Sequence, residues 1–310
     1  MSKVKNYLSL VKFSHTIFAM PFAMIGFVMA ITYIQSGVSG SVIPNPDPVA
    51  AFTELSASFI ITKLLLVVAC MIFARSAAMA FNRYLDKNFD ALNPRTAIRE
   101  IPSGIISSGS ALRFVIFNCI AFIICTWFIN RICFFLSPVA LFVILFYSYT
   151  KRFTPLCHLV LGLGLSLAPI GAYLAVTGEF ALLPVLFSFT VLFWVSGFDI
   201  IYALQDVDFD KSQNLYSIPA YFGKSRGLRI SEFLHLLSIV TVVFAGIYAG
   251  FGAWYWVGVA VFVSMLVYQH SIVKPEDLRR VNIAFMTANG IASVVFAVFV
   301  IIDLVLHHVQ

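Results

Sequence analysis

The stretch FIITKLLLVVACMIFARSAAMAFNRYLDKNFD, residues 59–90, joins a long apolar run to a polar end that carries Asn82, Asp86 and Asp90. The apolar part, near residues 59–81, has the roughly 20 residues that a helix needs to cross a hydrocarbon core of about 30 Å. The three polar residues follow one another at intervals of four, so a continuing helix would present them on one face. The stretch therefore predicts a transmembrane helix that ends in a stripe of carboxylate and amide groups.

The rest of the chain has the composition of a membrane protein. Of its 310 residues, 61% are hydrophobic and 11% are charged, against roughly 25% charged residues in soluble domains. Helices satisfy their own backbone groups in lipid, and the alternating polarity of a membrane β-barrel is absent. We therefore predict an all-α protein, a polytopic membrane bundle of about nine transmembrane helices that forms a single domain over residues 1–310. The predicted spans lie near residues 14–36, 59–81, 111–129, 132–149, 156–176, 181–203, 230–250, 252–270 and 281–306.

Two negative expectations accompany this prediction. The first apolar run is membrane-length and lacks a small-residue cleavage site, so we expect a retained helix rather than a cleavable signal peptide. The five cysteines lie in apolar segments without paired spacing, which indicates packing residues rather than a disulfide or a metal site. They are Cys70, Cys119, Cys125, Cys133 and Cys157.

The distribution of positive charge predicts the orientation. Lys and Arg are retained in cytoplasmic loops. With nine helices, 18 of the 20 Lys and Arg residues fall on the side of the N-terminus, and Lys63 and Arg131 fall on the other. The N-terminus should therefore be cytoplasmic. The net charge of +6 follows from this bias, and no nucleic-acid partner is needed to explain it.

A second stretch, YALQDVDFD at residues 202–210, repeats the spacing of four with Tyr202, Asp206 and Asp210. The predicted orientation puts both stripes at cytoplasmic helix ends, where they can face each other. Such ends are often merely solvated, but carboxylates four residues apart on a helix repel each other. A divalent cation would relieve the repulsion. Oxygen ligands without His or Cys favour Mg²⁺, which commonly shares its shell with phosphate.

Basic residues lie near both stripes. Arg75 falls inside a predicted membrane helix, where a charge is expensive and usually functional. Arg95 and Arg99 follow the first stripe, and Lys151 with Arg152 ends another helix. Acids beside bases suggest a metal-bridged phosphate, and within an apolar bundle the natural candidate is an isoprenoid diphosphate, whose tail needs apolar walls.

At these residues the chain resembles the UbiA superfamily of intramembrane prenyltransferases, whose two motifs run N-D-x-x-D-x-x-x-D and D-x-x-x-D. Arg83 departs from the first motif, and EIPS at residues 100–103 departs from the usual neutral run. Within the superfamily the chain looks most like the 4-hydroxybenzoate polyprenyltransferase branch. The stretches that carry the likeness are VKFSHTIFAMPFA at 11–23, FARSAAMAFNRYLDKNFDALNPRT at 73–96, YSYTKRFT at 147–154, and GFDIIYALQDVDFD with YSIPAYFG within 197–223.

The resemblance implies a Mg²⁺-dependent enzyme that transfers a polyprenyl group from its diphosphate to an aromatic acceptor such as 4-hydroxybenzoate. It implies a role in the biosynthesis of a respiratory quinone, ubiquinone or menaquinone, and a place in a bacterial inner membrane with the active site on the cytoplasmic side. One Mg²⁺ would be held by Asn82, Asp86 and Asp90, and a second by Asp206 and Asp210. The candidate diphosphate ligands are Lys12, Arg75, Lys151 and Arg152.

For catalysis, the resemblance and the position of helix residues 181–203 point to Asp199 and Tyr202. These would orient the acceptor or shelter the prenyl cation, and Asp206 could help to deprotonate a phenol. The nearest bases not needed for diphosphate are Arg95 and Arg99, which we expect to bind the acceptor carboxylate. The expected partners are thus a polyprenyl diphosphate, an aromatic acid and the lipid bilayer.

Two alternatives stay open from the sequence. The acceptor could instead be dihydroxynaphthoate, homogentisate or haem. From a different class, intramembrane acids also occur in cation-coupled transporters, which usually show inverted repeats and helices broken near the bilayer midplane. Here the acids lie at one membrane face and the two stripes are similar in the same direction, which favours the enzyme.

Overall fold

The computed structural model describes residues 3–11, 18–35 and 55–308. Within these ranges the chain is helical and contains no strand, apart from an isolated bridge between Lys274 and Asp277. The predicted all-α class is confirmed. The helices are α1 (Lys3–Leu10), α2 (Met20–Gln35), α3 (Ala57–Leu92), α4 (Ser108–Ile129), α5 (Arg131–Thr150), α6 (Cys157–Thr177), α7 (Leu182–Ala203), α8 (Val207–Ser212), α9 (Ile218–Phe222), α10 (Lys224–Ala249), α11 (Ala253–Ile272) and α12 (Asn289–His308).

In the part of the chain that the structure describes, eight helices are long and apolar enough to cross a membrane, and the shorter apolar helix α2 joins them. Each corresponds to one of the nine predicted spans. The eight are α3, α4, α5, α6, α7 with its extension to Ser212, α10, α11, and α12 with the π-helical turn Ile283–Ala288 before it. The protein is an integral membrane bundle.

The core of the bundle lies around α2 and α7. The rings of Phe22, Phe187, Trp194 and Phe296 are fully buried and contact one another. The indole of Trp194 donates a hydrogen bond of 2.8 Å to Asn289 on α12, so the core's polar group is paired. These contacts fix α7, whose C-terminal end leads into the second aspartate motif.

Small residues let α6 approach its neighbours closely. A Cβ atom built on Gly26 of α2 would lie 2.1 Å from the backbone oxygen of Pro169 on α6. A Cβ atom on Gly162 of α6 would lie 2.5 Å from the backbone oxygen of Leu192 on α7. Glycine at such crossings allows helix backbones to touch in a membrane bundle. The glycines thereby set the spacing of the three helices.

The two aspartate motifs differ in the regularity of the helix that carries them. Helix α3 runs for 36 residues, about 54 Å, so Asn82, Asp86 and Asp90 lie on one regular helix as predicted. The second motif is interrupted, because α7 ends at Ala203 and a 3₁₀ turn spans Leu204–Asp206 before α8 begins. The expectation of one regular helical stripe through Tyr202, Asp206 and Asp210 is therefore wrong. The tighter 3₁₀ turn changes the angle between successive side chains.

Candidate active site

Asp86 is the most enclosed carboxylate of the first motif, with 2% of its surface exposed. Lys151 Nζ lies 2.6 Å from Oδ2 and Arg152 Nη2 lies 2.9 Å from Oδ1. The Asn82 amide nitrogen donates to Oδ2 at 3.3 Å. Arg152 also donates to the backbone oxygen of Leu85, 3.2 Å away. A buried carboxylate requires such pairing, so the end of α5 is tied to α3 through the predicted diphosphate ligands.

Asp90 lies one turn further along α3. Its Oδ1 accepts from Arg99 at 2.7 Å, whereas its Oδ2 is buried and has no hydrogen-bond partner among the described residues. The hydroxyl of Thr96 donates to the backbone oxygen of Asp90, which holds the following loop against the helix. Arg83 is 4% exposed, and its guanidinium interacts electrostatically with Asp90.

Asp206 receives a bidentate contact from the other predicted acceptor ligand. Arg95 Nε lies 3.1 Å from Oδ1 and Nη2 lies 2.6 Å from Oδ2, while Nη1 donates to the hydroxyl of Tyr202 at 3.3 Å. The Asn93 amide also reaches Asp206, 3.4 Å away. Burial lowers the pKa of Arg95, but the carboxylate of Asp206 and the hydroxyl of Tyr202, which both accept hydrogen bonds from its guanidinium, raise it above its ordinary value. The loop after the first motif therefore joins the second, as the facing stripes predicted.

Asp210 completes the group of acids. Ser217 donates to its Oδ2 at 2.9 Å. Lys151 and Asp206 both interact with it electrostatically, so Lys151 lies between the carboxylates of the two motifs. The backbone of Tyr216 donates to the backbone oxygen of Lys151 at 2.7 Å, which fixes the position of this lysine.

A cavity of about 410 Å³ lies between α3, α4, α5 and α6. Most of its lining is apolar, as in Val67, Phe122 and Leu165, but Arg75 and Tyr147 also contribute to the wall. The Nε atom of Arg75 is buried and has no hydrogen-bond partner among the residues described. The cavity is thus mostly apolar, with one cationic side chain in its wall.

Tyr147 links this cavity to the acids. It interacts electrostatically with Asp86, Arg75 and Asp199. Asp199, on α7, accepts a contact of 2.6 Å between its Oδ2 and Nδ1 of His158 on α6. Sequence reasoning missed both Tyr147 and His158. Their signals were weak: Tyr147 opens the YSYTKRFT stretch, and His158 is a polar residue at the start of an apolar helix.

The structure thus brings together all but one of the predicted site residues. Arg95 forms an ion pair with Asp206, and Arg99 forms one with Asp90. Arg75 lines the cavity. Lys12, the remaining predicted diphosphate ligand, lies outside the described residues.

The donor atoms fit a magnesium ion that shares its shell with a ligand. Among the described residues, no three His, Cys, Asp or Glu side chains converge as a preformed metal cage. Mg²⁺ is usually held by one or two carboxylates together with phosphate and water. The unpaired Oδ2 of Asp90 and the hard oxygens of Asp86, Asp206 and Asp210 suit that mode. The acids would have to exchange their basic partners for the ion.

Comparison with known proteins identifies the class. The sequence model of the UbiA prenyltransferase family matches residues 48–291. A 4-hydroxybenzoate octaprenyltransferase of Aeromonas salmonicida is 31% identical over 234 residues, which cover 75% of this chain and 80% of the relative. An enzyme of the same name from Francisella tularensis is 27% identical over 241 residues, with 78% and 84% covered.

Solved structures agree. A UbiA homolog from Aeropyrum pernix K1, in its apo form, superposes with a TM-score of 0.73 at 26% identity and covers 94% of this chain and 98% of its own. A UbiA homolog from Archaeoglobus fulgidus, bound to DMAPP and Mg²⁺, shares the fold with a TM-score of 0.67 at 18% identity, covering 97% and 99%. The protein is an intramembrane prenyltransferase. The chain belongs to the UbiA prenyltransferase family.

Proposed function

We propose that this enzyme transfers a polyprenyl group from its diphosphate to an aromatic acid of the 4-hydroxybenzoate type, with Mg²⁺, as one domain spanning residues 1–310. The observation that carries the proposal is the juxtaposition of an apolar cavity with four motif aspartates and their basic partners. The names of the bacterial relatives support the acceptor class. The DMAPP and Mg²⁺ in the Archaeoglobus homolog support the donor and the metal.

The polyprenyl tail would occupy the cavity between α3 and α6, with its diphosphate toward Arg75. Lys151 and Arg152, which hold Asp86 here at 2.6 and 2.9 Å, would turn to the diphosphate oxygens. Cations placed around a departing diphosphate stabilise the charge that develops as the bond to the prenyl carbon breaks. The apolar walls would keep water from the allylic cation.

The metal ligands would be Asn82, Asp86 and Asp90 for one ion and Asp206 and Asp210 for a second. Asn82 donates to Asp86 through its nitrogen, so its amide oxygen can serve another partner. Bound Mg²⁺ would supply positive charge that neutralises the leaving diphosphate. The chain's own part is to hold the acids on two helix ends that face each other.

The acceptor would lie among Asp199, Tyr202, Arg95 and Arg99. Arg95 packs over the ring of Tyr202, with its guanidinium carbon 5.7 Å from the ring centre. When Asp206 and Asp90 take a metal, both arginines would be freed for the acceptor carboxylate. Asp199 or Asp206 would accept the phenolic proton, while Tyr202 would orient the ring.

The direct test is a transfer assay. Purified protein should convert a polyprenyl diphosphate and 4-hydroxybenzoate to a prenylated acid, identified by mass, only when Mg²⁺ is present. EDTA should stop turnover and added Mg²⁺ should restore it. A panel with dihydroxynaphthoate, homogentisate and haem tests the competing acceptors. Absence of product from the whole panel would contradict the proposed reaction.

A second prediction concerns the acceptor arginines. Replacing Arg95 or Arg99 with Lys should raise KM for the aromatic acid roughly 10-fold or more and leave KM for the diphosphate nearly unchanged. Lysine keeps the charge but loses the bidentate geometry. Steady-state kinetics with each substrate varied in turn measures the two constants. A rise confined to the diphosphate KM would assign these arginines to the donor instead.

The proposed location is a bacterial cytoplasmic membrane, with the N-terminus and the acids on the cytoplasmic side and a role in quinone biosynthesis. On a cysteine-free background, Ser212→Cys and Ala253→Cys are exposed probes at opposite ends of the bundle. An impermeant thiol reagent should label position 212 only from the cytoplasmic side and position 253 only from outside. The reverse pattern would invert the proposed orientation.

A further inference from the structure

His158, which is buried, and Asp199, which is partly exposed, form a pair at the edge of the site. His158 is 3% exposed, and its Nδ1 lies 2.6 Å from Asp199 Oδ2. The side chain of Asp199 is 24% exposed, and it interacts electrostatically with Tyr147 in the cavity wall. One carboxylate oxygen is therefore engaged by a residue on another helix. No hydrogen bond from the described part of the chain occupies the other oxygen.

The second ring nitrogen determines the tautomer. The backbone N–H of Ile218, at the start of α9, lies 3.3 Å from His158 Nε2. A backbone N–H only donates, so Nε2 accepts and carries no proton. The proton of the neutral ring is then on Nδ1, and it is donated to Asp199 Oδ2. His158 thus connects α6, α7 and α9 and fixes one oxygen of Asp199.

We propose that His158 is a positioning residue that holds the Asp199 carboxylate so that Oδ1 faces the phenol of the acceptor. This inference rests on the proposed function. In the reaction, Oδ1 takes the phenolic proton, and a ring carbon forms a bond to the prenyl carbon as the bond from that carbon to diphosphate breaks. The electron pair leaves with the diphosphate. The attacking ring carbon then loses its hydrogen as a proton, the ring becomes aromatic again and its oxygen regains a proton, so that one proton in total leaves with the diphosphate.

The geometry assigns orientation rather than proton transfer to His158. A relay through the ring would need Nε2 to take up or release a proton, but Nε2 accepts from Ile218. The ionisable groups that interact with the ring are Asp199, Cys157 and Asp210. The thiol of Cys157 is directed to the backbone oxygen of Tyr216, 3.5 Å away. The hydrogen bond that the geometry places at Nδ1 is the one to Asp199.

Two substitutions separate positioning from structure and from proton transfer. His158→Gln keeps an N–H for Asp199 and an oxygen for the Ile218 amide, so kcat should stay within about 3-fold and its pH profile should not move. His158→Leu removes both contacts, and kcat should fall roughly 10- to 100-fold, near the lower end of what a general base contributes. KM for the polyprenyl diphosphate should not change. His235→Gln, at an equally buried histidine that contacts a backbone oxygen of Trp194, is the matched control and should keep full turnover.

The outcomes are separable. If His158→Gln is as inactive as His158→Leu, the imidazole carries protons and the positioning role is wrong. If His158→Leu keeps wild-type kcat, Asp199 needs no support from it. Nitrogen NMR of the wild-type protein labelled at histidine gives a readout that needs no turnover: Nδ1 protonated and Nε2 bare near neutral pH is the expected state. A protonated Nε2 overturns the inference, whereas an inactive wild type with the expected tautomer contradicts only the proposed function.

Discussion

Asp86→Asn is expected to lower kcat of prenyl transfer roughly 1000-fold, at the upper end of the effect of losing one preorganised charged group. Asp86 connects the first motif to the two basic residues that follow α5, since its carboxylate lies 2.6 Å from Lys151 and 2.9 Å from Arg152. The amide keeps the shape of the side chain but removes its charge. The substitution therefore removes a proposed metal ligand and also the anion that positions both bases. Steady-state turnover with saturating substrates and Mg²⁺ measures the loss.

Asp208→Asn is the matched control for this prediction. Asp208 lies between two motif aspartates but is exposed. Its replacement should leave kcat within about 2-fold. Thermal unfolding in detergent should show that Asp86→Asn is still folded, because its partners are 26 to 30% exposed and can be hydrated. Equal turnover of Asp86→Asn and wild type would show that Asp86 has no part in prenyl transfer.

Gly26→Ala is expected to have the largest effect on the fold. The added Cβ would lie 2.1 Å from the backbone oxygen of Pro169 and 2.9 Å from its carbon. Neither atom belongs to a flexible side chain, so α2 and α6 must move apart. Overpacking of this kind costs about 3 kcal/mol, which corresponds to a fall in Tm of about 5 °C for a chain of 310 residues. Thermal unfolding of the purified protein measures the change.

Gly171→Ala is the control on the partner helix. No atom lies within 4 Å of the Cβ position at Gly171. Alanine also has the higher helix propensity, so Tm should stay the same or rise slightly. A Gly26→Ala protein as stable as the Gly171→Ala protein would show that the close crossing of α2 and α6 is not required.

The fold and most of the candidate site could be predicted because the signals are local. Apolar runs of membrane length define the helices, and the interval of four places Asn82, Asp86 and Asp90 on one face whatever the neighbours do. The basic residues near these acids can be recognised because they stand close to the motifs in the sequence. These features need no knowledge of which helices touch.

The partners of the acids could not be predicted in the same way. Asp86 meets Arg152 across 66 positions of sequence, and Arg95 meets Asp206 across 111, and no spacing rule links residues so far apart. The role of His158 depends on Asp199 and on the amide of Ile218, which lie on other helices. The 3₁₀ turn before Val207 likewise carries no clear pattern, since the polar period of four continues through it.

The ion pairs at the motif aspartates couple the binding of cations and anions. A cation that takes the carboxylate of Asp86 leaves Lys151 and Arg152 without their counter-charge, and an anion that takes these two bases leaves Asp86 bare. Either ligand alone therefore has to break existing ion pairs when it binds. The second ligand then neutralises the charged groups that the first has left unpaired. By thermodynamic reciprocity, the factor by which a bound diphosphate would strengthen metal binding equals the factor by which a bound metal would strengthen diphosphate binding. Without ligands, the basic residues and the aspartates thus occupy each other's binding groups. A cation and an anion that bind together release both sets of groups at once.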